Sequence, residues 1–280
     1  MTPEYLIISF LISIFSGLAG ALLGLGGGIF LVPLLVYTVD VPLKLAAGAS
    51  ILAVIATSSA AAANYIDEDL TNIRLGMFLE LATTIGAVSG AFLAFAAADR
   101  LLMILFGGSL IYSAIFMVTQ IFRKTTWIPK QNDDIAQRLK LNSSYLDRAS
   151  NENIFYGIAN SRVIFVFSYI AGIISGILGI GGGAIKVPAM NVISGVPMKA
   201  AVATSNFMVG VTAAASAMVY MRNGLCDAFI AGPVIFGILI GASIGARITN
   251  RIKGSTLKLL FTLALVFIGI RMIATGLGVF

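Results

Sequence analysis

Gly24-Leu25-Gly26-Gly27-Gly28 interrupts an apolar run that extends from Tyr5 to Val39, and Gly179-Ile180-Gly181-Gly182-Gly183 interrupts a second run from Val163 to Ile193. A soluble protein uses such a loop to cradle phosphate, but here hydrocarbon-like sequence flanks it on both sides. Each glycine in a helix interior costs about 1 kcal/mol relative to alanine, so four glycines in five positions break a helix rather than continue it. The stretch therefore reads as an interrupted membrane helix. Unwound backbone at membrane depth is tolerated only where protein or a water-filled cavity surrounds it. A Rossmann loop is excluded, because Ile29 and Ala184 stand where G-x-G-x-x-G needs its third glycine and no strand precedes them.

The rest of the composition agrees with a membrane setting. Of 280 residues, 59% are hydrophobic and 11% charged, with a mean hydropathy of +1.00. A soluble domain carries about 25% charged residues, so a soluble fold of this composition has too little polar surface to cover its core. The net charge of +6 comes from cations between or at the ends of apolar runs. They read as topology signals and headgroup anchors, and no nucleic-acid partner is expected. Cys226 is the single cysteine, which excludes an internal disulfide, and there is no histidine. Chemistry near neutral pH would fall to carboxylates, lysines and hydroxyls, and no metal site or cofactor is implied. Met1-Thr2-Pro3-Glu4 lacks a basic side chain and no small-x-small cleavage site follows, so Tyr5 to Leu23 is expected to be a retained span.

The apolar runs are 5–39, 45–66, 75–98, 101–122, 163–193, 200–221, 228–247 and 255–280. A bilayer core needs about 20 apolar residues per helix, which most of these supply once. The two interrupted runs are too long for one crossing and too short for two full ones. Each fits a helix, a glycine turn and a shorter returning or re-entrant helix.

Sliding the chain by 155 residues superposes it on itself. Gly17 falls on Gly172, Leu23-Gly24 on Leu178-Gly179, Gly26-Gly27-Gly28 on Gly181-Gly182-Gly183, and Val32-Pro33 on Val187-Pro188. Without a gap, Val41-Pro42-x-Lys44-x-Ala46 then matches Val196-Pro197-x-Lys199-x-Ala201, and Ser50, Thr57, Tyr65, Gly86 and Gly90 match Ser205, Thr212, Tyr220, Gly241 and Gly245. Chance does not hold one register over so long a stretch, so the chain is a tandem duplication. The expected organisation is a first transmembrane repeat over 1–122, a polar linker over 123–162 with a short surface helix between Asp134 and Leu146, and a second transmembrane repeat over 163–280. The linker is expected to tolerate change.

Cation placement orients the halves. If each interrupted run crosses twice, each half has about five membrane-embedded segments and the halves are inverted. One face then gathers Arg74, the seven cations of the linker, Lys199, Arg247, Arg251, Lys253 and Lys258, leaving Lys44, Arg100, Arg222 and Arg271 on the other. If each run crosses once, the halves are parallel and the cations divide nearly evenly. The inverted arrangement is preferred, with the linker cytoplasmic and both termini outside.

Several residue types inside or beside the spans are candidates for chemistry. The two turns, Gly24, Gly26, Gly27, Gly28 and Gly179, Gly181, Gly182, Gly183, would present half-helix N–H groups and dipoles to an anion near the mid-membrane. Close helix packing is the alternative, and it suits Gly86-x-x-x-Gly90 and Gly241-x-x-x-Gly245 better. Lys44 and Lys199 each follow a proline at a helix start, where a cation opposes the macrodipole and needs a compensating negative charge. A bound anion would supply it, and snorkelling to headgroups is the alternative. Ser50, Thr204, Ser205 and Asn206 lie about two turns further on, able to donate to an oxyanion or to bond back to their own helix. Lys186 and Glu80 break the repeat, being Leu31 and Ile235 in the partner half. An ionisable group within a span is a functional candidate, so Lys186 is assigned to the anion and Glu80 to proton coupling. Glu80 also lies only about 9 Å of helix rise beyond Arg74, which leaves an interfacial pairing open. Asp67, Glu68 and Asp69 read as a solvated loop.

A glycine-rich G-x-G-G-G followed by proline, then P-x-K-x-A-x-x-T-S, once per half of an all-helical membrane protein, resembles the TauE/SafE sulfite exporter (TSUP) family. The resemblance spans nearly all of the chain except the linker. It implies transport of a small anion, commonly sulfur-containing, such as sulfite, thiosulfate or a sulfonate, often by efflux. The second half, from Pro197 to Asn206, fits the pattern better. The first has Ala49 and Ile51 where Thr204 and Asn206 stand, which weights the expected site toward the second half. The expectation is thus an all-α, inverted-repeat secondary transporter in the inner (plasma) membrane, working by alternating access at a site between the repeats. Its partners would be the small anion and the lipid bilayer, with a homodimer left open. A passive anion channel is the rival within transport. A membrane-embedded enzyme is disfavoured by the lack of histidine, of H-E-x-x-H and of a deep carboxylate pair.

Overall fold

The computed structural model describes residues 3–23, 26–122, 131–147, 151–249 and 255–279. In the first half these form α1 (Pro3–Leu23), α2 (Gly28–Thr38), α3 (Leu43–Asp67), α4 (Ile73–Ala96) and α5 (Asp99–Phe122). The connecting segment holds α6 (Asp134–Arg138) and the strands β1 (Ser143–Asp147) and β2 (Glu152–Tyr156). The second half repeats the first with α7 (Ser161–Leu178), α8 (Gly183–Val192), α9 (Met198–Arg222), α10 (Ala228–Thr249) and α11 (Ser255–Gly276). Seven of the described helices are long and apolar enough to cross a bilayer, while α2 is a shorter apolar helix. Leu, Ile, Val and Phe side chains remain exposed along α1, α4, α5, α7 and α10, as expected for lipid-facing surface.

The helix breaks fall where the sequence concentrates glycine. Gly26 and Gly27 have φ of +80° and +76°, and their equivalents Gly181 and Gly182 have +75° and +74°. That left-handed conformation costs an L-residue about 1–2 kcal/mol, which explains why a side chain is absent at both positions in both halves. The first turns of the short helices close alike, with the N–H of Leu31 on the Gly27 carbonyl and that of Lys186 on the Gly182 carbonyl, both at 3.1 Å. The last turn of the long helix before each break is tied by a matched tyrosine. The Tyr65 hydroxyl donates to the Ala21 carbonyl at 3.2 Å, and that of Tyr220 to the Gly176 and Ile177 carbonyls at 3.0 Å. These bonds occupy carbonyls near helix ends that would otherwise lie unpaired away from water.

The packing exchanges the two halves. α1 lies along α10, and its equivalent α7 lies along α4. α3 packs on α10 and its equivalent α9 on α4, while α3 meets α9 and α5 meets α11. Small residues set these contacts: a Cβ on Gly86 would lie 2.3 Å from the Tyr169 carbonyl oxygen, and one on Gly241 2.0 Å from that of Ile14. The Gly-x-x-x-Gly pairs are therefore seams of helix packing.

The connecting segment departs from the expected surface helix. The helix covers only Asp134–Arg138, and Ser143–Asp147 pairs antiparallel with Glu152–Tyr156, so the fold is nearly rather than wholly helical. The segment is also anchored. Leu141, Tyr145, Tyr156 and Ile158 are buried in one apolar cluster with α3, α4, α8 and α9 residues, and Asn72 donates to the Leu141 carbonyl at 2.7 Å.

Candidate functional site

The two glycine turns meet at the centre of the molecule. A Cβ on Gly26 would stand 2.9 Å from Val209 Cγ1, and one on Gly181 would stand 2.6 Å from Val209 Cγ1 and 2.8 Å from Val54 Cγ1. Val54 and Val209 occupy equivalent positions in the repeat. Gly28 approaches the Gly179 carbonyl, and the buried Ser50 hydroxyl donates to that carbonyl at 2.9 Å. Val54 and Val209 make the junction apolar here, and among the described residues the Ser50 hydroxyl of α3 bonds across it. Gly24 lies outside the described residues.

The polar groups gather on one side of this junction, around the second turn. Lys186, in the first turn of α8, has a side chain 1% exposed. Its Nζ donates to the Thr212 hydroxyl at 2.8 Å and lies 4.0 Å from Glu80 Oε2. The Thr212 hydroxyl donates onward to Glu80 Oε1 at 2.7 Å, and Thr84 donates to the same oxygen at 2.9 Å. α4, α8 and α9 thus each contribute to one chain of contacts, ammonium to hydroxyl to carboxylate. Arg74 is not Glu80's partner: its guanidinium donates to the Lys140 carbonyl at 3.3 Å on the exposed rim.

The positions equivalent by the repeat are Leu31 and Thr57 in the first half and Ile235 in the second. Leu31 is fully buried and Ile235 packs against the same apolar cluster. The Thr57 hydroxyl bonds back to the Ala53 carbonyl at 3.0 Å, one turn below on its own helix. The equivalent packing thus forms without any charge, and the Lys186–Glu80 pair is not required to build it. Isolated ionised groups away from water are costly and persist when paired.

The remaining candidates are engaged elsewhere. Lys44 pairs with Asp99 at 3.5 Å and Lys199 with Asp147 on β1 at 2.7 Å. The negative charge that a first-turn lysine calls for comes in both halves from a carboxylate of the protein itself. Thr204 accepts the Asn72 backbone N–H at 3.0 Å, Asn206 donates to the Val202 carbonyl at 3.1 Å, and Ser205 is fully buried on α9. Among the described residues the Asn206 Oδ1 is buried without a hydrogen-bond partner. A small cleft of about 10 Å³, room for roughly one water, opens between Lys44, Leu102, Phe106, Leu178 and Tyr220.

Thr212 and Thr84 escaped selection in the sequence. The signal was present, since Glu80 and Lys186 are two departures from the repeat with opposite charge, on segments whose partner positions, Ile235 and Leu31, are both apolar.

Seven helices long and apolar enough to span a bilayer, packed around a charge pair buried in the protein interior, fit a multi-pass membrane transporter. It belongs to the family described as "Sulfite exporter TauE/SafE", whose profile matches residues 9–272. It is 26% identical over 278 residues to the "Probable membrane transporter protein YunE" of Bacillus subtilis (strain 168), covering 97% of this chain and 98% of that one. It is also 26% identical over 254 residues to the "Probable membrane transporter protein YdhB" of the same organism, covering 90% and 92% of the two chains. A "Probable membrane transporter protein" of Xylella fastidiosa (strain 9a5c) is 27% identical over 256 residues, covering 91% and 89%. No solved structure matches the chain.

Proposed function

We propose that the chain is a secondary transporter that exports a small sulfur-containing oxyanion, sulfite first among the candidates, across the inner membrane by alternating access. The observation that carries this reading is the Lys186–Glu80 pair, held through Thr212 beside the second glycine turn. Lys186 is the anion's cation and Glu80 its resident counterion. When the anion enters, its charge replaces that of Glu80 on the ammonium, and Glu80 takes a proton so that no net charge is stranded in the apolar interior. The N-terminus of α8 adds N–H groups and the positive end of a helix dipole to the same place. Proton coupling and anion binding are then one exchange within a single protomer, and a second copy of the chain is not needed for it. The halves are inverted, with the linker on the cytoplasmic face.

The test is uptake of labelled sulfite, with thiosulfate, an organosulfonate and a carboxylate for comparison, into proteoliposomes containing the purified chain. The wild type is expected to saturate with sulfite and to accumulate it against its gradient after a pH step. The neutral pair K186M/E80Q is expected to fold and to move none of these anions. Saturable transport by that double variant, or wild-type flux that never runs uphill, would overturn the reading.

A further inference from the structure

We propose that Ser175 is a further ligand of the anion, donating its hydroxyl to one of the anion's oxygens and so favouring oxyanions over halides. The inference rests on the placement of the anion site at Lys186.

Hydroxyls on the helices of this protein have a default partner, the carbonyl one turn back. Ser13 donates to Ser9, Ser16 to Ile12, Ser113 to Ser109 and Ser216 to Thr212 in this way. Ser175, in the last turn of α7 and 1% exposed, does not. Among the described residues its Oγ is buried and has no hydrogen-bond partner. A buried polar group left unpaired calls for an explanation, and an absent ligand is one.

Its position supplies the second argument. A Cβ on Gly182 would lie 3.1 Å from Ser175 Cβ and 3.2 Å from Lys186 Cε. The bare Cα of Gly182 therefore faces a notch flanked by the carbon that bears the free hydroxyl and the carbon that bears the ammonium. Filling that notch with one methyl group would crowd both. The repeat supplies the third argument. The residue equivalent to Ser175 is Gly20, so the repeat matches Ser175, Lys186 and Glu80 with Gly20, Leu31 and Ile235. Three departures from the repeat, each adding a polar group, surround one of the two turns, and the other has a glycine and two apolar residues at those positions. One anion per chain follows, bound at the second turn.

The chemistry divides between the two ligands. An ammonium on a flexible stem is a point charge that accepts any small anion. A hydroxyl fixed by a buried helix turn adds a directional bond, short and strong when it meets a charged oxygen.

The experiment measures sulfite transport in proteoliposomes, with and without excess chloride, for the wild type, S175A, S175G and K186M/E80Q, together with thermal stability in detergent. S175G carries the residue of the first repeat and serves if S175A does not fold. Loss of the hydroxyl is expected to raise KM for sulfite about tenfold with kcat little changed, and to let chloride compete where it did not before. S175A is expected to be at least as stable as the wild type, since an unpaired buried hydroxyl is removed, and S175G to be less stable than S175A, glycine being the poorer helix former. If KM and chloride insensitivity are unchanged in a folded S175A or S175G while K186M/E80Q is inactive, the role of Ser175 is wrong and the anion site stands. If K186M/E80Q transports normally, the site itself is misplaced.

Discussion

Lys186 Nζ and Glu80 Oε2 stand 4.0 Å apart on helices from opposite halves of the chain, with side chains 1% and 10% exposed. Desolvation of two such charges offsets most or all of their attraction, and replacing a buried pair with well-packed apolar residues is often neutral or stabilising. Removing one member is different, because the other is left charged and alone. K186M or E80L alone is therefore expected to destabilise the protein by about 3–5 kcal/mol. The double change K186L/E80I, which installs the residues found at the equivalent positions of the repeat, is expected to recover most of that loss while transport stays abolished. Thermal unfolding in detergent, combined as a double-mutant cycle, measures the coupling. Additive losses would show that the two charges do not depend on each other.

Thr212 bridges this contact through hydrogen bonds. Its hydroxyl accepts from Lys186 at 2.8 Å and has two acceptors in reach, Glu80 Oε1 at 2.7 Å and the Met208 carbonyl at 3.0 Å. The carboxylate is the nearer acceptor, so it receives the hydroxyl's hydrogen bond. T212V keeps the volume but leaves the ammonium and one carboxylate oxygen each short of a partner, at a cost of about 1–3 kcal/mol. T212S restores the hydroxyl. The pH profile of sulfite uptake is expected to shift in T212V and to return in T212S, and an unshifted profile in T212V would place proton exchange elsewhere.

The turns themselves admit a sharper contrast. G181A meets Val209 and Val54 at 2.6 and 2.8 Å and must hold φ near +75°, so overpacking of about 1–3 kcal/mol adds to about 1–2 kcal/mol of backbone strain. Gly108, in α5, has open space where a Cβ would go. G108A should stabilise its helix by up to about 1 kcal/mol. Melting temperatures moving in opposite directions are the expected result, and a harmless G181A would mean that the turn can relax.

The duplication was legible because glycines, prolines and tyrosines mark backbone constraints that recur at a fixed offset, and Gly181, Gly182 and Tyr220 repeat the geometry of Gly26, Gly27 and Tyr65. The partners of charged groups were not legible. Glu80 meets Lys186 only because α4 packs against α9 and α7, a contact that no local pattern encodes. Lys199 is met by Asp147 from a hairpin that reads, in sequence, as more of the polar linker. Its two strands are five residues each, too short for their alternation to stand out from a surface helix.

That linker is held at its root by Asp133, which gives it a pH dependence of its own. The Asp133 carboxylate accepts the Ala136 N–H at 2.8 Å as the cap of α6, and the Ser161 hydroxyl and N–H at 2.8 and 2.5 Å where α7 begins. Partial burial on its own would raise the pKa of this carboxyl, but the hydrogen bonds from Ala136, Ser161 and Ile135 outweigh it and hold the pKa below its ordinary value of 3.8. A carboxylate with a depressed folded pKa stabilises fully above its unfolded value and loses that contribution as pH falls through the folded one. The docking of α6 onto the start of α7 is therefore expected to be constant from neutral pH down to about pH 4 and to weaken below it. D133N retains only one oxygen acceptor, so it should loosen the segment at every pH and remove the acid transition. D133A loses the cap of α6 as well, costing about 0.5–2 kcal/mol. Amide exchange over residues 134–147 and 152–160, followed from pH 7 to pH 3, checks this. Equal pH dependence in the wild type and D133N would assign the transition to another group.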